Sequence, residues 1–140
     1  MIKYIVAAIL IFSSNIVFAE NIYEAKHRID IWEENSLINT QTTADILSIY
    51  SRSYKKWDKA LNKTYKSLMK KLPANDKTLL RESQRKWLAF KKPEFKFMSI
   101  HIHRAGGSLS KVISAQRRVA FIRNRVIELE AYEFIFDSPP

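Results

Sequence analysis

Cysteine is absent from all 140 residues. No disulfide can staple this chain, no thiol can serve as a nucleophile, and no lipid anchor can be built on a cysteine. Glycine and proline are almost as scarce, at two and four residues, so long helices are permitted and their ends should fall at those few breaks. No stretch alternates apolar and polar residues as a half-buried strand would. There is no glycine-rich phosphate loop. A spanning helix needs ~20 continuous apolar residues, and the one apolar run, near the N-terminus, is broken early by Ser13, Ser14 and Asn15. Acid is in short supply too: 14 acidic residues face 24 basic ones, a net charge of +10.

What is present starts with an export signal. Lys3 precedes an apolar stretch from Ile5 to Phe12, the run resumes at Ile16, and it closes on Val17-Phe18-Ala19 before Glu20. A short basic start, an apolar middle and a small-x-small close describe a secretory signal peptide cleaved after Ala19. Cleavage removes one lysine and no acid, taking the net charge from +10 to +9. The mature protein is expected in the periplasm or outside the cell, neither membrane-spanning nor lipid-anchored. The expected organisation is a signal peptide over 1–19, an N-terminal helical cap over 20–36, one domain over 37–136 and a tail over 137–140. A chain of that size can bury one core unaided.

Hydrophobic spacing makes that domain all-α, an up-down-up three-helix bundle with a short extra helix in front. The first long helix should open at Thr42, with Asp45 three residues on in capping-box fashion. Ile46, Ile49, Tyr50, Tyr54, Trp57, Leu61, Tyr65, Leu68 and Leu72 then recur at steps of three and four, one stripe of an amphipathic helix ended by Pro73. Asn75 or Asp76 should cap the second helix, whose inner side carries Leu80, Ser83, Trp87, Phe90, Phe97 and Met98. Pro93 should bend or interrupt it. Gly106-Gly107 breaks the chain, and Ser108 is placed to cap the third helix. That helix shows Leu109, Val112, Ile113, Val119, Ala120, Ile127 and Phe134. Ile22, Ala25, Ile29 and Trp32 share a face, so Ile22–Glu34 should form the short helix.

Charge follows the same geometry. Arg52, Lys55, Lys56, Lys59, Lys63, Lys66 and Lys70 lie opposite the apolar stripe of the first long helix at 100° per residue. Arg81, Arg85, Lys92 and Lys96 form a similar row on the second. Such a face is either plain solvation or an electrostatic footprint for an anionic surface, with Lys59, Lys63, Lys66 and Lys70 at its centre. An exported protein does not meet nucleic acid, which leaves anionic lipid, lipopolysaccharide or an acidic protein.

Some polar residues point inward instead. Gln116, Arg123 and Glu130 project into the apolar stripe of the third helix, and a charge facing a core needs a partner. At ~1.5 Å per residue, Arg123 lies about 22 Å along its helix and Asp58 about 24 Å along the parallel first helix. Lys91 arrives near the same height, with Asn62 and Gln84 one or two turns away. The spacing predicts a mid-bundle polar layer of Asp58, Asn62, Gln84, Lys91 and Arg123. Its role is either fixing helix register or lining a ligand site.

These residues carry a family resemblance. Tyr54, Asp58, Leu61-Asn62 and Tyr65 resemble the Y-x-x-x-D-x-x-L-N-x-x-Y run of the domain family named for the lysozyme inhibitor LprI. Leu80, Gln84-Arg85, Trp87 and Lys91 are similar to its L-x-x-x-Q-R-x-W followed by a basic residue. Gly106-Gly107-Ser108 and Arg123-Asn124-Arg125 match its G-G-S and R-x-R. The resemblance runs from about Leu37 to Leu129. It implies an exported helical domain that binds a protein, lysozyme for the named member. Members usually carry four cysteines, whose positions here align with Leu37, Ile49, Phe95 and Arg117, so apolar packing replaces the bridges at three of them. Animal lysozymes are strongly basic, and like charge slows encounter. Docking would therefore use a local acidic patch, for which Glu33-Glu34 or Glu128, Glu130 and Glu133 are placed.

Catalysis finds no constellation. His101 and His103 are two apart, ~200° around a helix, so neither a metal nor any other cofactor is expected. Glu33-Glu34 suits solubility better than acid–base work. Three classes stand open: a protein-binding inhibitor, an electrostatic binder of anionic envelope surfaces, and a hydrolase acting on cell-wall material for which the sequence offers no site.

Overall fold

Thr42 opens the longest amphipathic segment as its spacing requires. In the computed structural model, which describes residues 26–104 and 106–138, the Thr42 hydroxyl accepts from the Asp45 backbone N–H at 3.1 Å. It also donates to the Asp45 carboxylate at 2.6 Å. The signal peptide and the Glu20 start fall outside the described residues.

Among the described residues, four helices follow in order: α1 Arg28–Leu37, α2 Thr43–Lys71, α3 Ala74–Arg104 and α4 Gly107–Asp137. No strand occurs among the described residues. α2 stops at Lys71 because Pro73 cannot continue it. The turn is tighter than expected. Pro73 itself offers the first carbonyl of α3, taken by the Lys77 N–H at 2.9 Å. Asn75 and Asp76 therefore lie inside the first turn instead of capping it, where Asp76 suits the helix dipole. α3 then runs unbroken through Pro93, so the expected interruption does not occur. A proline removes a single ladder donor, and the turns on either side keep theirs.

Ser108 does not cap α4 either. Gly106 is the N-cap, with φ 75° and no side-chain bond, and Gly107 also has φ 75°. A Cβ at either glycine would meet nothing within 4 Å. The backbone angle, and not crowding, calls for glycine here.

The core lies between α2 and α4, which run parallel and pack along most of their length. Trp57, Leu61 and Leu68 of α2 meet Val119, Ile122, Val126 and Leu129 of α4. Burying each such side chain contributes about 1.5–3 kcal/mol. α3 runs antiparallel to both: Gln84 faces Arg125, Trp87 stacks on Phe121 at 5.1 Å, and Lys91 reaches Tyr54. α1 lies across α2, with Ile29 and Leu37 against the core.

The α2 stripe is buried or half-buried throughout. The other stripes need correction. Phe90 and Phe97 on α3 and Leu109 and Phe134 on α4 are exposed large apolar residues, and Ala120 is exposed as well. α4 turns Ile122, Val126 and Leu129 inward instead, each fully buried.

Candidate functional site

The predicted polar layer does not assemble. Arg123 pairs with Asp30 of α1, Nε to Oδ1 at 2.7 Å and Nη2 to Oδ2 at 2.8 Å. Asp58 faces outward, half-buried, and its backbone carbonyl accepts from the exposed Asn62 amide at 2.8 Å. Gln84 is buried but accepts from Arg125 Nε at 3.0 Å, while Arg125 Nη2 donates to Ser83 at 3.1 Å. Lys91 Nζ donates to the Tyr54 hydroxyl at 3.2 Å. The five residues thus serve four separate junctions, three tying two helices and one bracing a single helix. Gln116 is exposed.

The sequence reasoning sought Arg123's partner on the long helices only, and so missed Asp30. An inward arginine calls for a carboxylate, and Asp30 sits on the short helix directly after Ile29. Around this pair, Arg123 lies 5.7 Å above the Trp57 ring, and His27 packs on the same indole at 4.5 Å. His27 Nδ1 accepts from the Ile29 N–H at 3.1 Å, capping α1, and its Nε2 lies 3.6 Å from Glu130. The bidentate bond to Asp30 holds the Arg123 guanidinium even further above neutral range than usual. Burial pushes the Glu33 carboxyl up, with Asp30's charge adding to the shift. Burial also raises Glu130, against the opposing pull of His27.

The acids of the expected docking patches mostly have partners within the chain. Glu34 pairs with Lys26 at 2.9 Å, and Glu128 accepts from the Tyr132 hydroxyl. Glu133 accepts from Ser67 and pairs with Lys71 at 2.8 Å, bonds that hold its carboxyl below the ordinary range. Glu33 and Glu130 are half-buried.

The basic row behaves differently. Lys59, Lys63, Lys66 and Lys70 are all exposed, and none enters an ion pair at contact distance among the described residues. They recur at steps of four, three and four along one edge of α2, the spacing of a single helix face. Beside them a groove of ≈ 640 Å³ opens between α1, α2 and α4, with Lys56, Lys59 and Lys63 on one wall and Glu130 and Glu133 on the other. Trp32 closes its end, held by Lys56 at 4.5 Å and Arg52 at 5.6 Å from its ring.

Leu61 is core, Tyr65 packs against it, and Ser108 is exposed on the first turn of α4. Of the four cysteine-aligned positions, Ile49 is buried, Leu37 packs on the core, Phe95 meets Phe121 edge-on, and Arg117 is exposed. No group of three or more metal-ligating side chains converges among the described residues, and His101 packs on Phe97 at 4.1 Å. No described helix is long and apolar enough to cross a membrane.

Compared with known protein families, the chain matches the family model described as lysozyme inhibitor LprI over residues 34–129, well over half of its length. No curated protein and no solved structure matches.

Proposed function

This chain belongs to the lysozyme inhibitor LprI family, and on that footing we propose that it is an exported, non-catalytic binding protein that inhibits lysozyme or another enzyme acting on the cell envelope. The observation that carries this reading is the family match over residues 34–129. Geometry favours one way of doing it. Glycosidases of this kind work with a pair of carboxylates flanking the scissile bond, so their cleft is locally acidic even where the whole enzyme is basic. With several of its acids engaged, this bundle presents the exposed row Lys59, Lys63, Lys66 and Lys70, free of contact-distance ion pairs among the described residues, on one helix. Lysines brought against a carboxylate-lined cleft would shut out substrate. Long-range repulsion slows encounter without preventing a tight local fit.

Binding to immobilised lysozyme, in competition with a chitin oligosaccharide that fills the cleft, tests this. The oligosaccharide should displace the protein. Binding that ignores it would move the contact away from the cleft, and no binding would leave another envelope enzyme as the target.

A second reading rests on the same row. Four unpaired lysines on one face also suit anionic lipid or lipopolysaccharide. Such binding would fall steeply as salt rises, and vesicles with and without anionic lipid distinguish it. Export itself is a proposal: the mature chain should start at Glu20, and an intact mass that retains residues 1–19 would contradict it.

A further inference from the structure

On the opposite side of α2 from α1, a second pocket of ≈ 490 Å³ opens between α2, the later part of α3 and the first half of α4. Its volume lies within the ~300–1,000 Å³ usual for small-molecule sites. Tyr50, Tyr54 and Phe95 supply aromatic surface, and Lys55, Lys111 and Arg118 supply three positive charges. No carboxylate lines it. Neither Lys55 nor Lys111 enters an ion pair among the described residues, and both are exposed. Arg118 lies over the Phe95 ring at 5.3 Å, and its Nε is closed off from solvent with no hydrogen-bond partner. A buried donor left without an acceptor is costly. The Tyr54 hydroxyl accepts from Lys91, which leaves its own proton to donate.

We propose that this pocket binds a small amphipathic anion, an acyl or aryl body carrying one carboxylate or phosphate. The aromatic walls would take the apolar body. The Arg118 guanidinium would donate to the head group, with Lys55 and Lys111 adding charge at the mouth. The site shares no residue with the row Lys59, Lys63, Lys66 and Lys70, so it stands or falls apart from the inhibitor reading.

Calorimetric titration of the purified protein with decanoate and decyl phosphate, below their micelle concentrations, tests the proposal. Saturable one-to-one binding of at least one is expected, and the tighter one identifies the head group. Decanol and decyltrimethylammonium should bind at least about tenfold more weakly, since a charged hydrogen bond is worth roughly that much or more. Arg118→Met, which keeps apolar contact with Phe95, should weaken anion binding by about tenfold or more. Ser51→Trp, at an exposed position on the pocket wall, should block binding while keeping every charge, and thermal melting verifies that both variants fold. No saturable binding of either anion would overturn the proposal, as would equal affinity for decanol or unchanged affinity in folded Arg118→Met.

Discussion

Asp30 and Arg123 stand 93 residues apart in the chain and share two hydrogen bonds. Their side chains keep 17% and 35% of their exposure, so water screens part of the attraction. Removing either partner should cost about 1.5–3 kcal/mol, the range for a hydrogen bond to a charged group. In urea denaturation, Asp30→Ala and Arg123→Ala should each destabilise by that amount, and the double variant by clearly less than the sum. Asp58→Ala, at a residue that bonds only within its own helix, should be mild, and a large effect there would restore the layer the structure denies. Glu33 adds a pH effect. A carboxyl whose folded value is raised favours the fold in its neutral form, so its contribution is full at low pH and lost as pH rises through the raised value. Glu33→Gln should therefore raise the melting temperature at pH 7 relative to the parent, and the advantage should vanish near pH 4. An advantage that persists unchanged at pH 4 would detach it from ionisation.

The helices differ in how far their sequences determine them. α2 was legible from Thr42 to Pro73, because its apolar residues form one stripe and its lysines form the other. α4 was not. Val119, Ala120, Phe121 and Ile122 are consecutive and apolar, so spacing alone cannot say which of them faces the core. Packing against α2 turned Ile122, Val126 and Leu129 inward and left Phe134 outside. Helix ends divide in the same way. Thr42 makes its cap bond, while Ser108 lies past a glycine that already begins α4. Thr42→Ala should cost about 1 kcal/mol and Ser108→Ala under about 0.5 kcal/mol. Gly106→Ala should cost roughly 1–2 kcal/mol, since an L-residue resists a positive φ. Thermal melting of the three variants checks the order, and a costly Ser108→Ala would contradict the observed cap.

On the scale of the molecule, the two charge signs have separate fates. Several acids are engaged within the chain, by Lys26, Ser67, Lys71, Tyr132 and Arg123, and an excess of lysine is left on the surface of α2. That division was only half visible in the sequence. The lysine row follows from helical spacing, whereas the engagement of Glu128 and Glu133 depends on where α4 settles beside α2. The α1 clamp also lies outside the family match, which begins at residue 34, so Asp30 could not be found by resemblance. Cell-wall lysis by lysozyme, followed as loss of turbidity with increasing amounts of this protein, tests the central claim most directly. Lysis should slow in a saturable way. The combined change of Lys59, Lys63 and Lys66 to Gln should weaken inhibition by tenfold or more, taking at least about 1.4 kcal/mol across three contacts, while shifting stability by under about 0.5 kcal/mol per site. Undiminished lysis at saturating protein would contradict lysozyme as the target, and full inhibition by the folded triple variant would contradict the lysine face as its means.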